Sequence, residues 1–378
     1  MKRKVFVTII SIVIILFLLV MLAYVIDHKR MAENKPVVFS TWGKKYAPPE
    51  EKSIYKSTEN INFALTMNNT ITNDTVWCGT FQLIWNDLKN DLAKQDIVFT
   101  PQLKIVENLN KGEFDTTKIS DKYYYKVYGH PSIKLKEQIE NEIKSRFNET
   151  SDILDDFNWD NRDPQDYFLY CMLRKDFQFE TAFEELEKGT FANKYKDISY
   201  FGVKNSTKDK IKKQVNVLYY NSDNDFAIKL NTKGDDEVIL CKGKEGKTFK
   251  EIYETIKNES NTFEGRRSLT SLDEMKIPNI KFKEKKELTE LQDKPFLFSN
   301  GQTYKIEQAI QTIEFELDRT GGKIKSESGI MNKAESAIIE ETQKRKFYLD
   351  NTFTLFLQEK GKDMPYFAAT ISDITKFQ

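Results

Sequence analysis

Residues 5–26 form a run of 22 without a charged side chain, interrupted only by the polar groups of Thr8, Ser11 and Tyr24. An α-helix rises 1.5 Å per residue, so roughly 20 such residues cross the hydrocarbon core of a bilayer. The run ends Leu22-Ala23-Tyr24-Val25-Ile26, with neither the small-residue pair of a cleaved signal peptide nor a cysteine for a lipid. An uncleaved, single-pass signal anchor is therefore expected. Lys2, Arg3 and Lys4 precede it, although His28, Lys29 and Arg30 follow closely behind. The positive-inside bias puts residues 1–4 in the cytoplasm and the rest of the chain outside the cell membrane. Residues 27–60 are polar, carry Pro36, Pro48 and Pro49 and keep no period, as a stalk would. A folded domain is expected over 61–378.

That domain has the composition of a packed protein and little of the chemistry of an enzyme. The chain has 58 basic and 58 acidic residues, so it lacks the basic excess of a nucleic-acid footprint. Its 27 Phe and 17 Tyr are far too many for a disordered tail. Cys78, Cys171 and Cys241 are too few and scattered for a disulfide framework, and read as three buried thiols. Of the two histidines, His28 lies beside the anchor and His130 sits in the turn-like "YGHPS". No nucleophile elbow, P-loop or dinucleotide fingerprint is present. We therefore expect no catalytic residues, no metal ligands and no cofactor, and a monomer.

Periodicity places mixed elements along the domain, helices mostly first and strands mostly later. The fold should start near "INFALTM" at Ile61. Residues 83–92 have helical spacing with Leu83, Leu88 and Leu92 near one face, and a second helix over 133–147 carries Ile133, Ile139 and Ile143. "YFLYCMLR", residues 167–174, is a continuous apolar run suited to the middle of a sheet. "VNVLYY", "FAIKL" and "EVILC" follow as short strands between Asn-, Asp- and Gly-rich turns, then a helix over 249–256. "KIPNIKF" reads as one strand, residues 285–291 as a short helix, and "IQTIEFELD", "FYLDNTFTLFL" and "PYFAATIS" as the last strands. No internal repeat occurs. The fold class is α+β in one large domain.

One strand ends oddly. In "FELDRTGGKIKSESG", Phe315 and Leu317 share a face with Ile313, while Glu314, Glu316 and Asp318 share the other. After Gly321 and Gly322 comes a long polar stretch, although most connections run about 4–6 residues.

The order of these pieces resembles a serpin. "VNVLYY" with "EVILCKGKEGKTFKEIYETI" looks like the family's run of strands, glycine turn and helix. "MKIPNIKFKEKKELTEL" is similar to its proline-bearing strand, and "FYLDNTFTLFLQEKGKDMPYF", with Phe353, to its C-terminal signature, from which Asn351 and Thr354 depart. The resemblance implies a large central mixed β-sheet, smaller sheets and about eight or nine helices. It makes "IQTIEFELD" a central strand of the large sheet and residues from about 321 to 346 a reactive-centre loop. In inhibitory members a serine or cysteine protease cleaves this loop, which then inserts into the sheet as an extra strand.

Carried over by position, the resemblance assigns the hinge to Gly321, Gly322, Lys323, Ile324, Lys325 and Ser326. Gly322 stands where inhibitory members carry Thr, and residues 323–327 stand in place of an Ala-rich run. The scissile region covers Glu335, Ser336, Ala337, Ile338, Ile339, Glu340, Glu341, Thr342, Lys344 and Arg345. The shutter positions fall on Gln311 and on or beside Tyr170, while the serine opening the family's second helix finds no match near residues 78–81. The partners implied are a target protease and, through residues 5–26, a lipid bilayer, with no nucleic acid.

Two readings of the loop stay open. Even positions from 322 to 338 are Gly, Ile, Ser, Ser, Ile, Asn, Ala, Ser and Ile, whereas Lys323, Lys325, Glu327, Lys333 and Glu335 fall on odd ones. That parity suits a strand with one buried face. Alternatively residues 332–344 form an exposed helix on a non-inhibitory scaffold. Lys344, Arg345 and Lys346 would attract a trypsin-like protease, although their simplest role is a solvated basic turn.

Overall fold

The computed structural model describes residues 61–322 and 344–378. The expected cytoplasmic terminus, anchor, stalk and most of the candidate loop lie outside the described residues. By contacts, the described residues other than 148–150 belong to one compact unit. Among the described residues no helix is long and apolar enough to cross a membrane.

The largest sheet has seven strands, in the order Asn62–Ala64, Thr75–Cys78, Phe367–Ile371, Phe353–Glu359, Asp236–Lys242, Asp225–Asn231 and Val215–Ser222. It is mixed, because the first pair is parallel and the others antiparallel. Its middle strands are buried on both faces. Every residue of Phe367–Ile371 is buried, and Phe353–Glu359 is buried except at Gln358. That is why these segments read as unbroken apolar runs and not as alternating ones.

One face of this sheet carries the Phe249–Thr262 helix. Phe249, Ile252, Tyr253 and Ile256 form its buried stripe, and Tyr253 and Phe249 pack on Phe356 with ring centroids 5.4 and 6.2 Å away. Thr248 caps it by accepting from the Glu251 amide, and the Glu251 carboxylate accepts from the Lys247 amide 2.7 Å away. This reciprocal cap fixes where the helix starts. The helix runs six residues beyond the expected end at Ile256.

The opposite face meets a four-stranded sheet ordered Ile280–Glu287, Ile310–Asp318, Gly321–Gly322 and Phe177–Gln178. Phe315 stacks near Phe367 at 4.8 Å, joining the two sheets. Two corrections follow. The Ile310–Asp318 strand is interior to a sheet, as expected, but not to the largest one. "KIPNIKF" is two strands: Glu274–Pro278 pairs in a separate sheet with Lys346–Tyr348 and Tyr195–Val203, and the chain changes sheets at Asn279. That sheet is completed by Glu184–Phe191.

A pair of strands, Tyr124–Gly129 and Phe168–Leu173, carries the Ile133–Phe147 helix on one face. Leu135, Ile139 and Ile143 are buried there, while Ile133, expected in the stripe, is exposed. Five α-helices occur among the described residues, against the eight or nine expected. Residues 83–92 are helix only to Asp87, with a π-turn over Leu88–Ala93, and 285–291 is strand to Glu287 followed by a 3-10 turn at Thr289–Leu291.

Lys175 ties two of these layers together. Its fully buried Nζ contacts Asp236, lies 3.3 Å from Glu359 Oε2, and stands over the rings of Tyr123 and Tyr366 at 4.1 and 4.6 Å. Both carboxylates belong to the seven-stranded sheet. Burial pushes the Asp236 carboxyl above its ordinary range against the pull of Lys175 and Tyr366. Burial also acts on Glu359, but hydrogen bonds from Ser120 and the charge of Lys175 outweigh it and hold that carboxyl low. Lys175→Met would leave two carboxylates without their cation, and urea unfolding should read a loss of about 3–5 kcal/mol. A loss below about 1 kcal/mol would mean that the carboxylates reach water in the variant.

Candidate functional site

The odd ending of the Ile310–Asp318 strand is a reversal. Asp318 Oδ1 accepts from the Thr320 amide at 2.7 Å, the Gly321 amide at 3.3 Å and the Thr320 hydroxyl at 2.6 Å. This turn sends Gly321 and Gly322 back antiparallel, Gly321 opposite Asp318 and Gly322 opposite Leu317. On their other side Gly321 pairs with Gln178 and Gly322 with Phe177, again antiparallel. Two residues thus bridge two strands. Gly321 has φ +150°, and a Cβ there would strike the Phe177 carbonyl oxygen. At Gly322 a Cβ would meet the Phe177 ring and the Glu316 carbonyl oxygen. Only glycine fits this close approach.

Gly322 is the last described residue of the bridge. Residues 310–316 pair with Ile280–Glu287 on one edge, and among the described residues no strand pairs with their other edge. The Phe168–Leu173 strand, which leads through residues 174–176 into Phe177–Gln178, likewise pairs only with Tyr124–Gly129. Among the described residues, two strand edges thus stay unpaired below the glycine bridge. An unpaired edge is a template for another strand.

The wall of this slot is set by strand parity. Gln311, Ile313, Phe315 and Leu317 are buried on the face toward the seven-stranded sheet. Gln311 Nε2 donates to the Cys78 carbonyl at 3.3 Å and to Thr80 Oγ1 at 3.1 Å, while its Oε1 is buried without a partner. Tyr170 is buried too, but with Tyr125, Phe168 and the Ile133–Phe147 helix. Cys171 and Leu173 pack into the other cluster with Cys78. Of the positions named for the shutter, Gln311 faces the seven-stranded sheet and Tyr170 the opposite way, while Cys171 beside it packs on the side of Cys78. Period two decides this, since adjacent residues on a strand face opposite ways.

Cys241 is buried and its thiol is pushed up to about 12 by burial; Cys78 and Cys171 are only half-buried as residues, and loss of water likewise raises their thiols. Burial thus disfavours the thiolate form at all three. His130 is exposed in a loop, as its turn-like sequence indicated.

Of the hinge residues, Gly321 and Gly322 are described; Lys323, Ile324, Lys325 and Ser326 are not, nor are Glu335, Ser336, Ala337, Ile338, Ile339, Glu340, Glu341 and Thr342. The chain re-enters at Lys344. Lys344 and Lys346 are exposed, as a solvated basic turn would have them, but Arg345 departs from that expectation: it is only 5% exposed, and its partner Asp273 not at all. Asp273 accepts from Arg345 Nη2 at 2.8 Å and from the Arg345 amide at 3.0 Å. The guanidinium also donates to the carbonyls of Arg266 and Ser268, both at 2.8 Å. Lys344, by contrast, is half-exposed and pairs with Glu274 at 2.7 Å. No sequence pattern marked Asp273 as the partner of a residue 72 positions away.

Burial pushes the Asp273 carboxyl up, but hydrogen bonds from Arg345 and from the Thr270 amide outweigh it and hold the carboxyl low. A carboxyl that titrates lower when folded contributes its stability in full above about pH 4, and loses it as pH falls through the folded value. Asp273→Asn should flatten the acid limb of the melting-temperature profile below about pH 4, and Asp273→Ala should cost about 3–5 kcal/mol at neutral pH. An unchanged acid limb would show that the pair does not govern acid unfolding.

No protein family and no curated protein matches the sequence. Among solved structures, the chain is similar to thyroxine-binding globulin in complex with thyroxine, at 10% identity over 63% of this chain and 64% of that one, with a TM-score of 0.38. Serpin48 of the insect Tenebrio molitor gives 10% identity, 68% and 78% coverage and a TM-score of 0.37. Human glycosylated kallistatin gives 12% identity, 74% and 72% coverage and a TM-score of 0.40. The chain thus spans less than two thirds of thyroxine-binding globulin. Similarity at this level does not carry activity across, and the reading below rests on this chain's own strand order and register.

Proposed function

We propose that this chain is a membrane-anchored, serpin-like protein that offers residues 323–344 as bait to a serine or cysteine protease outside the cytoplasm. Residues 5–26 hold it in the bilayer, and residues 27–60 space the folded part from the surface. It contributes no catalytic group and no cofactor. The protease's own nucleophile attacks a loop carbonyl, and the amine side leaves with residues up to the C-terminus. The acyl-bound half then enters the slot as a strand.

The observation that carries this reading is the glycine bridge. Gly321 and Gly322 already pair with both flanking strands in the orientation an entering strand needs. A chain continuing past Gly322 heads along the open edge of residues 310–316. At the far end, the Asp273–Arg345 pair fixes the chain where it returns, and the two ends together hold a long intervening segment. The scissile bond falls upstream of Arg345, whose side chain is locked in the interior. Glu335 through Lys344 remain as candidates.

A second reading, a non-inhibitory scaffold using the same segment to bind a partner, is favoured by one feature. Ile324, bulkier than the small residues of inhibitory members, would have to fit beside Phe315, which is 2% exposed. Overpacking of that kind destabilises by about 1–3 kcal/mol. The two readings separate on cleavage. Inhibition predicts a clear rise in melting midpoint once the loop is cut, and an SDS-stable adduct with the protease that cuts it. Cutting without any rise would leave the scaffold reading.

A further inference from the structure

We infer that the Tyr167 ring and the Asp163 carboxylate form a surface seat for an arginine side chain of a basic peptide partner. The seat uses a different part of the chain from the bait reading and does not depend on it.

Two segments build the seat. Residues 163–167 lead into the Phe168–Leu173 strand, and beside them Pro295–Leu297 and Thr303–Lys305 pair as a hairpin. Phe296 and Phe298 are buried, so the hairpin is rooted in the core, where the Phe296 ring lies 5.8 Å from Phe99. Phe298 and Tyr304 stack with centroids 3.9 Å apart. Tyr167 lies 6.2 Å from the first ring and 6.1 Å from the second. Two rings so close to each other, at such similar distances, lie on the same side of Tyr167. Its other side is open, and the residue is 46% exposed.

Hydrogen bonds hold this arrangement. Gln302 Nε2 donates to Gln165 Oε1 at 2.9 Å, and the Tyr304 hydroxyl donates to Gln302 Oε1 at 3.2 Å. The loop before Tyr167 closes on itself, since the Gln165 amide donates to Asp163 Oδ1 and the Asp166 amide to the Asp163 carbonyl, both at 2.9 Å. Ring and carboxylate are thus ordered before a ligand arrives, which lowers the entropy cost of binding.

The seat lacks a cation of its own. Elsewhere Lys276 stands 4.0 Å from the Tyr200 centroid and Arg146 5.2 Å from that of Tyr125, but among the described residues no cation stands over Tyr167 or Tyr304. Asp163 likewise has no cation partner among them, whereas Asp166 and Glu307 share Arg162. Farther along the hairpin, Asp293 is matched by Lys305 and Lys294. Loss of water, helped by the charges of Tyr167, Asp163 and Asp166, pushes the Tyr304 phenol up, so the carboxylates lie close enough to act on the rings.

The ligand that answers both vacancies is a flat cation. A guanidinium stacks on an aromatic face while its N–H fork meets a carboxylate at the edge. A lysine ammonium is a point charge and meets one of the two at a time. A choline headgroup brings a phosphate beside its cation, which Asp163, Asp166 and Glu307 repel.

The test immobilises the full chain in detergent and titrates a peptide of four Gly-Arg repeats by surface plasmon resonance. Lysine and citrulline counterparts and free phosphocholine are the comparison probes. Tyr167→Ala and Asp163→Asn should each weaken the arginine peptide by about three- to fivefold, while Tyr167→Phe, which keeps a ring, should bind as the parent does. The lysine peptide should bind more weakly than the arginine one, and the uncharged citrulline peptide should not bind. Melting midpoints are read alongside, and Asp163→Asn leaves the ring stack in place, so the seat stays testable if Tyr167→Ala loosens the hairpin. An arginine peptide that does not bind, or that binds both variants as it binds the parent, overturns the seat, as does a citrulline peptide held equally well. Phosphocholine binding that Tyr167→Ala abolishes overturns the peptide in favour of a lipid headgroup.

Discussion

The pairing of Gly321 and Gly322 with Asp318 and Leu317 on one side, and with Gln178 and Phe177 on the other, joins two pieces of sheet. The proposed function depends on that join. It fixes the direction and register of the chain at Gly322, beside edges that no strand pairs with among the described residues.

The flanks of the slot are anchored by charges taken into the interior. Lys175, beside the bridge, is held by Asp236 and Glu359 of the seven-stranded sheet. Arg345, where the chain returns, is held by Asp273 and two carbonyls. Buried ion pairs are poor sources of net stability, because desolvation takes back most of the attraction. Removing one partner is costly, however, and so each pair resists displacement of the segment that carries it. The Lys346–Tyr348 strand shows why this matters. It has three residues and pairs only with Glu274–Pro278, and the adjoining Arg345 supplies the hold that so short an edge strand lacks.

The sequence was legible where burial repeats with the period of the element. The alternation of Ile313, Phe315 and Leu317 against Glu314 and Glu316 gave the Ile310–Asp318 strand its true faces. The stripe Phe249, Ile252 and Ile256 gave the helix on the seven-stranded sheet. It was illegible where the deciding partner lies far along the chain. Arg345 in a basic tripeptide looks solvated until Asp273 is placed beside it. Tyr170 looks as suited to the slot as Cys171 until the pairing of Tyr125 with Met172 fixes the parity. At Asn279 the chain leaves one sheet for another without a glycine or a charge run to announce it, because Pro278 is the last residue paired in the first sheet. Fewer α-helices occur among the described residues than the resemblance implied, for a related reason: short segments such as Thr289–Leu291 lack the length to sustain a full turn of α-helix.

The glycines also bear on how far residues 323–327 obstruct entry. An inhibitory loop starts with small side chains because the first turns of the strand must slip between two close backbones. Here the tightest place, against the Phe177 carbonyl and ring, is met by two residues with no side chain at all. If the segment enters as proposed, parity would keep Lys323, Lys325 and Glu327 on the outer face, where a charge costs little, and turn Ile324 inward beside Phe315. There it would gain about 1.5–3 kcal/mol of apolar burial, against about 1–3 kcal/mol if the space is too tight. On that reading the fit of one isoleucine weighs more than the number of charges at the start of the loop.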